Sequence, residues 1–171
     1  MIVIKIIDIK NFMTHLLLQE TFDRFLLFEA KAVTSSELVL KGKRHENWYD
    51  SEQWEQMRQE MGLHDYRYMK WGEIREMVFH FIKGKKSPDK MYIDLETSEK
   101  QRQQILESIC TSENREMPAF RLQIRFEKGE LLMVPVVSYP VFTMDKPEES
   151  LWEEALQSFL RHYQIAFEKE S

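Results

Sequence analysis

Cysteine and glycine are scarce in this chain of 171 residues, which contains one Cys and five Gly. The single cysteine, Cys110, cannot close an intramolecular disulfide or build a thiolate zinc cluster, and this favours a reducing compartment. The few glycines form no P-loop, no G-x-G-x-x-G turn and no G-x-S-x-G elbow. The sequence therefore gives no support to nucleotide-binding or hydrolase loops of these kinds, and it indicates no catalytic residue and no cofactor.

Long apolar runs are also absent from the sequence. Lys5, Asp8 and Lys10 interrupt the apolar residues at the N-terminus before a signal-peptide core forms. No run reaches the ~20 apolar residues that a membrane-spanning helix needs, so we expect a cytoplasmic protein with no membrane segment. The net charge of −5 argues against non-specific attraction to nucleic acid or anionic lipid, although a local basic patch could bind either.

The composition is that of an ordinary globular protein. Apolar residues make up 43% of the chain and charged residues 31%, a balance typical of folded domains. Ten Met and eleven Phe indicate a soft, aromatic-rich interior. A chain of this length falls within the range of one domain and buries ~70% of its unfolded surface, so we expect residues 1–171 to form a single domain.

Apolar periodicity predicts alternating strands and helices in the first half. We expect a strand over residues 2–7, a helix capped by Asp8 that ends near Gln19, and a hairpin of residues 25–33 and 37–43. In the hairpin, Leu26, Phe28 and the alanines that follow share one side. Residues 44–50 suggest a short strand, and a polar helix begins at residue 50 or 51.

The second half shows a similar pattern. A helix over residues 71–82 ends at Lys83-Gly84, a strand covers 91–95, and a capping box at Ser98 opens a helix that reaches Cys110. A hairpin of residues 120–127 and 130–137 follows, and Pro135 and Pro140 place its second strand at an edge or bend. A final helix over about residues 147–163 begins after Asp145, with Pro147 in its first turn.

These elements predict an α+β fold, with an antiparallel or mixed curved sheet and helices packed on one face. Residues 1–84 and 88–165 both read as strand, helix, hairpin and helix, which suggests two pseudo-repeated β-α-β-β-α halves. Coincidence is the alternative, because few identities align the halves. Such an arrangement resembles the TATA-binding-protein-like architecture, a likeness of fold that implies no function.

Metal and acid-base chemistry have little support in the histidine pattern. The five histidines are His15, His45, His64, His80 and His162, and no two have the spacing of helical metal ligands. Cys110 is expected on the apolar side of its helix, where a cysteine is usually a small buried hydrophobe. An enzyme therefore requires a site assembled from distant residues, most plausibly His45, His64 and nearby acids.

Positive charge is concentrated in two segments. Lys83, Lys85 and Lys86 follow the 71–82 helix, where they would contact phosphate or an acidic partner, or simply complement the helix macrodipole. Lys41, Lys43 and Arg44 end the first hairpin and would join the first cluster if the fold brings the two together. All six residues are the candidate phosphate contacts of a nucleic-acid-binding domain.

Aromatic residues crowd the middle of the chain. Trp48 and Tyr49 lie in a polar stretch, which favours an exposed contact surface over a place in the core. Trp71 opens an apolar helical stripe, which predicts that it is buried.

Several stretches resemble an uncharacterised bacterial family, a domain of unknown function found in anaerobic, gut-type bacteria. They are KIIDIKNFMTHLL, DRFLLFEA, GKRHENWYD, WGEIREMVFHFIKGKKSP, FTMDK and WEEALQSFL, which together span nearly the whole chain. The resemblance implies an intracellular domain and supplies no activity or catalytic residue.

Three functional hypotheses remain open. The leading one is a non-catalytic binding or assembly module that engages a protein partner or itself through Trp48, Tyr49, Lys83, Lys85 and Lys86. The alternatives are the nucleic-acid-binding domain and the enzyme with a dispersed histidine and carboxylate site.

Overall fold

The computed structural model of the chain describes residues 2–107 and 117–170, and the elements named here lie within those ranges. In chain order they are β1 (Val3–Ile6), α1 (Ile9–Leu17), β2 (Leu26–Val33), β3 (Glu37–Lys41), α2 (Ser51–Asp65), α3 (Trp71–Ile82), β4 (Lys90–Glu96), α4 (Glu99–Leu106), β5 (Ala119–Glu127), β6 (Glu130–Ser138), α5 (Pro147–His162) and β7 (Phe167–Glu170). A short 3₁₀ turn covers Glu46–Trp48.

All these strands form one antiparallel sheet in the order β3-β2-β4-β5-β6-β1-β7. Ile93 of β4 pairs with Ile124 of β5, which pairs with Met133 of β6, and all three are buried on one face. The helices cover this face with core residues that include Phe12, Trp71, Leu106, Trp152 and Leu156. The predicted α+β class with helices packed on a sheet is therefore confirmed.

Side chains at the helix starts explain where several helices begin. The Asp8 carboxylate accepts a hydrogen bond from the backbone N–H of Asn11 at the start of α1. Asp50 and Ser98 each form a complete capping box, at α2 and α4. These contacts satisfy backbone donors that have no partner inside a helix.

Two side chains of α3 hold it beside the end of α1. Trp71 Nε1 donates a hydrogen bond of 2.8 Å to the carbonyl of Leu16, and Arg75 donates one of 3.3 Å to the carbonyl of Leu17. Arg75 also pairs with Asp23 at 2.8 Å. The last carbonyls of α1 therefore have partners, and α1 and α3 form the two walls of a groove.

The structure corrects two predictions in the first half. Residues 44–50 do not form a strand, because Lys43 makes one isolated bridge to Tyr68 and the chain then turns into the 3₁₀ helix. Phe28 does not share a buried side with Leu26, because a β-bulge between Leu27 and Glu29 shifts the register. Phe28 is consequently exposed.

In the second half, an edge or a bend was predicted for β6, and the edge position is wrong. This strand lies between β5 and β1, and Pro135 pairs with Leu122 on the β5 side. The pairing with β1 ends at Met133, so Pro135 lies beyond the end of that short neighbour. At Pro135 the strand has a hydrogen-bonded neighbour on one side only, so an inner strand can accommodate this proline.

Some predictions are not decided by the structure. The helix expected to reach Cys110 is described as far as Leu106, and Cys110 lies outside the described residues. The series strand, helix, hairpin, helix occurs in both halves, but β4 pairs with β5 of its own half whereas β1 pairs with β6 and β7. The internal duplication therefore stays a prediction.

Candidate functional site

One concave site is a groove between α1 and α3, with a volume of about 780 Å³. Its apolar floor includes Ile9, Met13, Leu18, Phe79 and Phe126, and its rim carries Lys10, Lys83, Lys85 and Lys86. We call this site the lysine groove. Leu18 is 52% exposed, so apolar surface at the site is open to water.

The charge of the lysine groove is of one sign. Among the described residues that line it there is no Asp or Glu, and within residues 2–107 and 117–170 no ion pair involves Lys10, Lys83, Lys85 or Lys86. Four cations without an ion pair in the described ranges thus line one groove of a chain whose net charge is −5. They attract an anionic group and repel a cationic one.

The helix macrodipole accounts for only part of this cluster. Lys83 directly follows the C-terminus of α3, where a cation is favoured. Lys10, however, lies in the first turn of α1, where the macrodipole disfavours a cation. Its position beside the other lysines therefore needs another explanation.

A second cavity of about 570 Å³ lies beside the 3₁₀ turn and α2. Lys43, His45, Trp54, Tyr66 and Arg67 contribute to its lining, and we call it the aromatic pocket. The ring of Trp54 packs against Tyr66 with centroids 5.3 Å apart. The two rings thus contact each other in the wall of the pocket.

Trp48 and Tyr49 have different environments in the structure. Trp48 is 85% exposed, which agrees with the expected exposed aromatic. Tyr49 is half-buried, since its ring packs on Trp54 and its hydroxyl accepts a hydrogen bond from Arg44 at 3.1 Å. Only Trp48 of the two is therefore free to present a whole ring to a partner.

Arg44 does not reach the surface as the nucleic-acid hypothesis requires. Its guanidinium is buried, where it donates to the carbonyl of Tyr68 and pairs with Glu73 at 2.8 Å. Lys41 is exposed but pairs with Glu29 at 2.6 Å, and this contact lowers the pKa of Glu29. Of Lys41, Lys43 and Arg44, only Lys43 has no such ion pair among the described residues.

The two basic clusters and the aromatics do not form one surface. Arg44 contacts Glu73 in the first turn of α3, while Lys83 follows its last residue, a separation of roughly 15 Å along the helix axis. The lysine groove and the aromatic pocket share no lining residue among those described. Trp48 lines neither of these two sites, so it does not share the groove with Lys83, Lys85 and Lys86.

His45 and His64 have different contacts, and no hydrogen bond or ring contact joins the two in the described part of the chain. His45 lines the aromatic pocket, whereas Nε2 of His64 lies 3.2 Å from Oε2 of Glu96 at the end of β4. This contact raises the pKa of His64, and burial opposes the rise. The dispersed histidine and carboxylate site therefore stays a prediction.

A buried ion pair occupies the open face of the sheet. Asp94 and Arg121 lie 2.5 Å apart, and the ring of Phe28 lies 3.9 Å below Cζ of Arg121. Burial raises the pKa of Asp94, and the charge of Arg121 opposes this rise. Neither residue lines the lysine groove or the aromatic pocket, and we assign the pair to the sheet rather than to a ligand.

Among the described residues, no group of three or more His, Cys, Asp or Glu could hold a metal ion. No helix in this part of the chain is both long enough and apolar enough to cross a bilayer.

Sequence reasoning missed Lys10 and the apolar floor of the groove. A signal was available in α1, whose apolar residues are too many for one core stripe. Phe12 and Leu16 are buried, while Ile9, Met13 and Leu18 extend beyond that stripe toward the groove. A stripe wider than one face indicates a second apolar contact.

The fold and the groove together define an α+β protein with an open antiparallel sheet and a cation-rimmed apolar cleft. The chain belongs to a family of unknown function, DUF5721, whose model matches residues 15–168. This match confirms the resemblance to an uncharacterised family. No curated protein and no solved structure matches the chain.

Proposed function

We propose that residues 1–171 act as a non-catalytic binding module whose lysine groove holds a short acidic and amphipathic segment of a partner protein. The observation that carries this proposal is an apolar floor surrounded by Lys10, Lys83, Lys85 and Lys86, none of which has an ion pair in the described parts of the chain. Because the groove is open, it suits an extended surface element better than an enclosed small molecule.

The apolar floor and the lysine rim of the groove require a partner with both apolar side chains and carboxylates. Apolar side chains of the partner remove Met13, Leu18 and Phe79 from water, at ~25 cal/mol for each Å² buried. Carboxylates on the opposite side of the segment form ion pairs with the lysines and increase the association rate. An amphipathic helix laid into a groove combines both in a known recognition mode.

The nucleic-acid alternative has weaker support. A phosphate backbone satisfies lysines but leaves the apolar floor of the groove uncovered. Of its six proposed contacts, Arg44 is buried and Lys41 is paired with Glu29. The cytoplasmic location expected from the single cysteine stays a prediction.

The experiment measures binding of a synthetic helical peptide of about 14 residues with Leu on one face and Glu on the other. Fluorescence anisotropy of the labelled peptide gives the Kd for the whole chain. We expect binding that weakens as salt rises from ~50 to ~300 mM. The double variant K85E/K86E should weaken it at least about tenfold, because it reverses two rim charges.

Matched controls separate groove binding from net charge. The variant K100E/K169E makes the same charge change at exposed lysines outside the groove, and it should bind the peptide as the unaltered chain does. A scrambled peptide of the same composition tests the need for an apolar face. Equal loss of binding in both double variants, or no binding to the amphipathic peptide at low salt, contradicts the proposal.

A further inference from the structure

The aromatic pocket joins basic side chains to an aromatic wall. Its lining includes the exposed residues Lys43 and Arg67 and the rings of Trp54 and Tyr66. No ion pair involves Lys43 or Arg67 in the described part of the chain, and Glu46 is the one acid among the described lining residues. A cavity of about 570 Å³ has the size of a small-molecule site. The pocket therefore suits a small ligand that carries both a planar ring and negative charge.

Backbone hydrogen bonds place the basic residues on neighbouring segments. The N–H of Arg44 donates to the carbonyl of Arg67 at 2.8 Å, and Lys43 forms an isolated bridge with Tyr68. The charge of Arg44 is already compensated by its ion pair with Glu73. Lys43 and Arg67 have no such compensation among the described residues, so both are available to an anionic group of a ligand.

Helix α2 contributes none of its side chains to the hydrophobic core. None of residues 51–65 is buried, whereas α1, α3 and α5 each bury several side chains. The ring of Trp54 in α2 packs against Tyr49 and Tyr66, with centroids 5.6 and 5.3 Å away. Through Trp54, α2 therefore contributes to the wall of the pocket rather than to the core.

Polar groups for the edge of a planar ring come from the 3₁₀ turn. Glu46 and Asn47 are both exposed, and both line the pocket. The amide of Asn47 offers a donor and an acceptor together, which matches the paired acceptor and donor at the edge of a nucleobase. Stacking on aromatic rings and binding of phosphate by Lys and Arg are two further contacts that proteins make with nucleotides. The pocket has side chains for all three.

We propose that the aromatic pocket binds a nucleoside monophosphate, with its base against Trp54 and its phosphate at Lys43 and Arg67. Inorganic phosphate alone leaves the aromatic wall uncovered, and an uncharged aromatic molecule leaves both cations without a partner. The inference does not rest on the proposed function, because the pocket and the lysine groove share no lining residue among those described.

Isothermal titration calorimetry of the full chain with AMP, GMP, CMP and UMP tests the inference. We expect at least one of the four to bind with a Kd below about 1 mM. The matching nucleoside and inorganic phosphate each lack one half of the ligand, so each should bind at least about tenfold more weakly. No binding of any of the four at about 5 mM, or equal affinity for inorganic phosphate, overturns the inference.

Paired variants test the position of the phosphate. K43Q/R67Q removes the two cations of the pocket and should weaken nucleotide binding at least about tenfold. R58Q/K169Q makes the same charge change at exposed residues outside the pocket, and it should bind the nucleotide as the unaltered chain does. An equal loss in both variants means that net charge alone attracts the nucleotide, and the inference is then wrong.

The lysine groove is the competing site for a phosphate group. K85E/K86E reverses two charges of the groove and none in the aromatic pocket, so it should leave the Kd of the nucleotide unchanged. A loss of nucleotide binding in K85E/K86E places the nucleotide in the groove and overturns the inference. Failure of the acidic peptide to bind, with nucleotide binding intact, contradicts only the proposed function.

Tryptophan fluorescence tests the contact with the base. Trp71 and Trp152 are buried, so quenching by the nucleotide should come from Trp54 and be retained in W48F but lost in W54F. W54F keeps an aromatic ring and should change the Kd less than about threefold, whereas W54A should raise it at least about tenfold. Because Trp54 is outside the core, W54A should keep the urea midpoint of the unaltered chain. Full affinity in W54A overturns the inference.

A single-stranded oligonucleotide distinguishes a free nucleotide from a nucleic-acid strand. An oligoadenylate of about 12 residues offers the same base and phosphate many times, so it should bind at most about twelvefold more tightly than AMP. An affinity more than about a hundredfold higher assigns the pocket to a strand and overturns the small-molecule inference.

Discussion

Nη2 of Arg44 lies 2.8 Å from Oε2 of Glu73, and the Arg44 side chain is 5% exposed whereas that of Glu73 is 44% exposed. The same guanidinium donates to the carbonyl of Tyr68 and to the hydroxyl of Tyr49. One buried cation therefore joins the segment after β3 to the first turn of α3. Its role is structural, although its sequence context is that of a surface basic cluster.

Replacing this arginine should destabilise the fold. We expect R44A to lower the free energy of unfolding by about 2 kcal/mol, since it removes several charge-assisted hydrogen bonds while Glu73 remains partly hydrated. Urea unfolding measures the change. K43A, at the exposed neighbouring position, should change it by less than about 0.5 kcal/mol. Equal stability of R44A and K43A contradicts the structural role of Arg44.

Gly42 is close-packed against the bulge in β2. A Cβ atom at this position would lie 1.6 Å from the carbonyl oxygen of Leu27, which is backbone and cannot move aside alone. G42A should therefore cost at least about 3 kcal/mol. G62A meets no atom within 4 Å but has a φ of +87°, and we expect it to cost only about 1 kcal/mol. Thermal or urea unfolding of both variants checks this order.

The indole of Trp71 holds α3 against the end of α1. W71F removes its hydrogen bond to the carbonyl of Leu16 in a fully buried site. We expect a loss of about 2 kcal/mol from the unpaired carbonyl and the small void. The same change at the exposed Trp48 should cost less than about 0.5 kcal/mol. If W71F matches W48F in urea unfolding, the hydrogen bond does not contribute to stability.

The contact of His64 with Glu96 should make stability depend on pH. Glu96 raises the pKa of His64 in the folded state, so the folded chain binds this proton more tightly than the unfolded chain does. The contribution is fully present below the unfolded pKa of about 6.5 and is lost as the pH rises through the higher folded pKa. Both side chains are partly exposed, which limits the effect to less than about 1 kcal/mol.

Urea unfolding at pH 5.5, 7 and 9 measures this dependence. The stability difference between the unaltered chain and H64Q should be largest at the acidic end and should vanish at the alkaline end. When both proteins also carry E96Q, the stability difference caused by H64Q should disappear at every pH, because E96Q removes the charge that favours the imidazolium. A difference that grows with pH has the wrong sign for this ion pair.

Local patterns were enough to predict much of the sheet and its helices. The hairpin of β5 and β6 alternates apolar and polar residues, and Lys128 and Gly129 form its two-residue turn. The capping box at Ser98 and the stripe of α3 similarly depend on residues within one or two helical turns. Strand β7 was missed, because FEKE carries no alternation and pairs only with the distant β1.

The candidate sites were only partly predictable for the same reason. Lys83, Lys85 and Lys86 are neighbours in sequence, so their cluster was visible at once. Lys10 joins them only because Trp71 and Arg75 hold α1 beside α3. The sequence offers no local indication of that contact, which joins residues more than 50 positions apart.

The sequence by itself determined where backbone hydrogen bonds and apolar periodicity create helices and hairpins, because those forces act between residues a few positions apart. Only the tertiary structure decided that Arg44 is buried while its neighbour Lys43 is exposed, and that the two basic clusters belong to different sites. Burial and charge pairing depend on which distant segments meet. In this chain, the contact with Glu73 buries Arg44 and removes it from the basic surface. The packing of α1 beside α3 forms the lysine groove, which is the surface proposed for function.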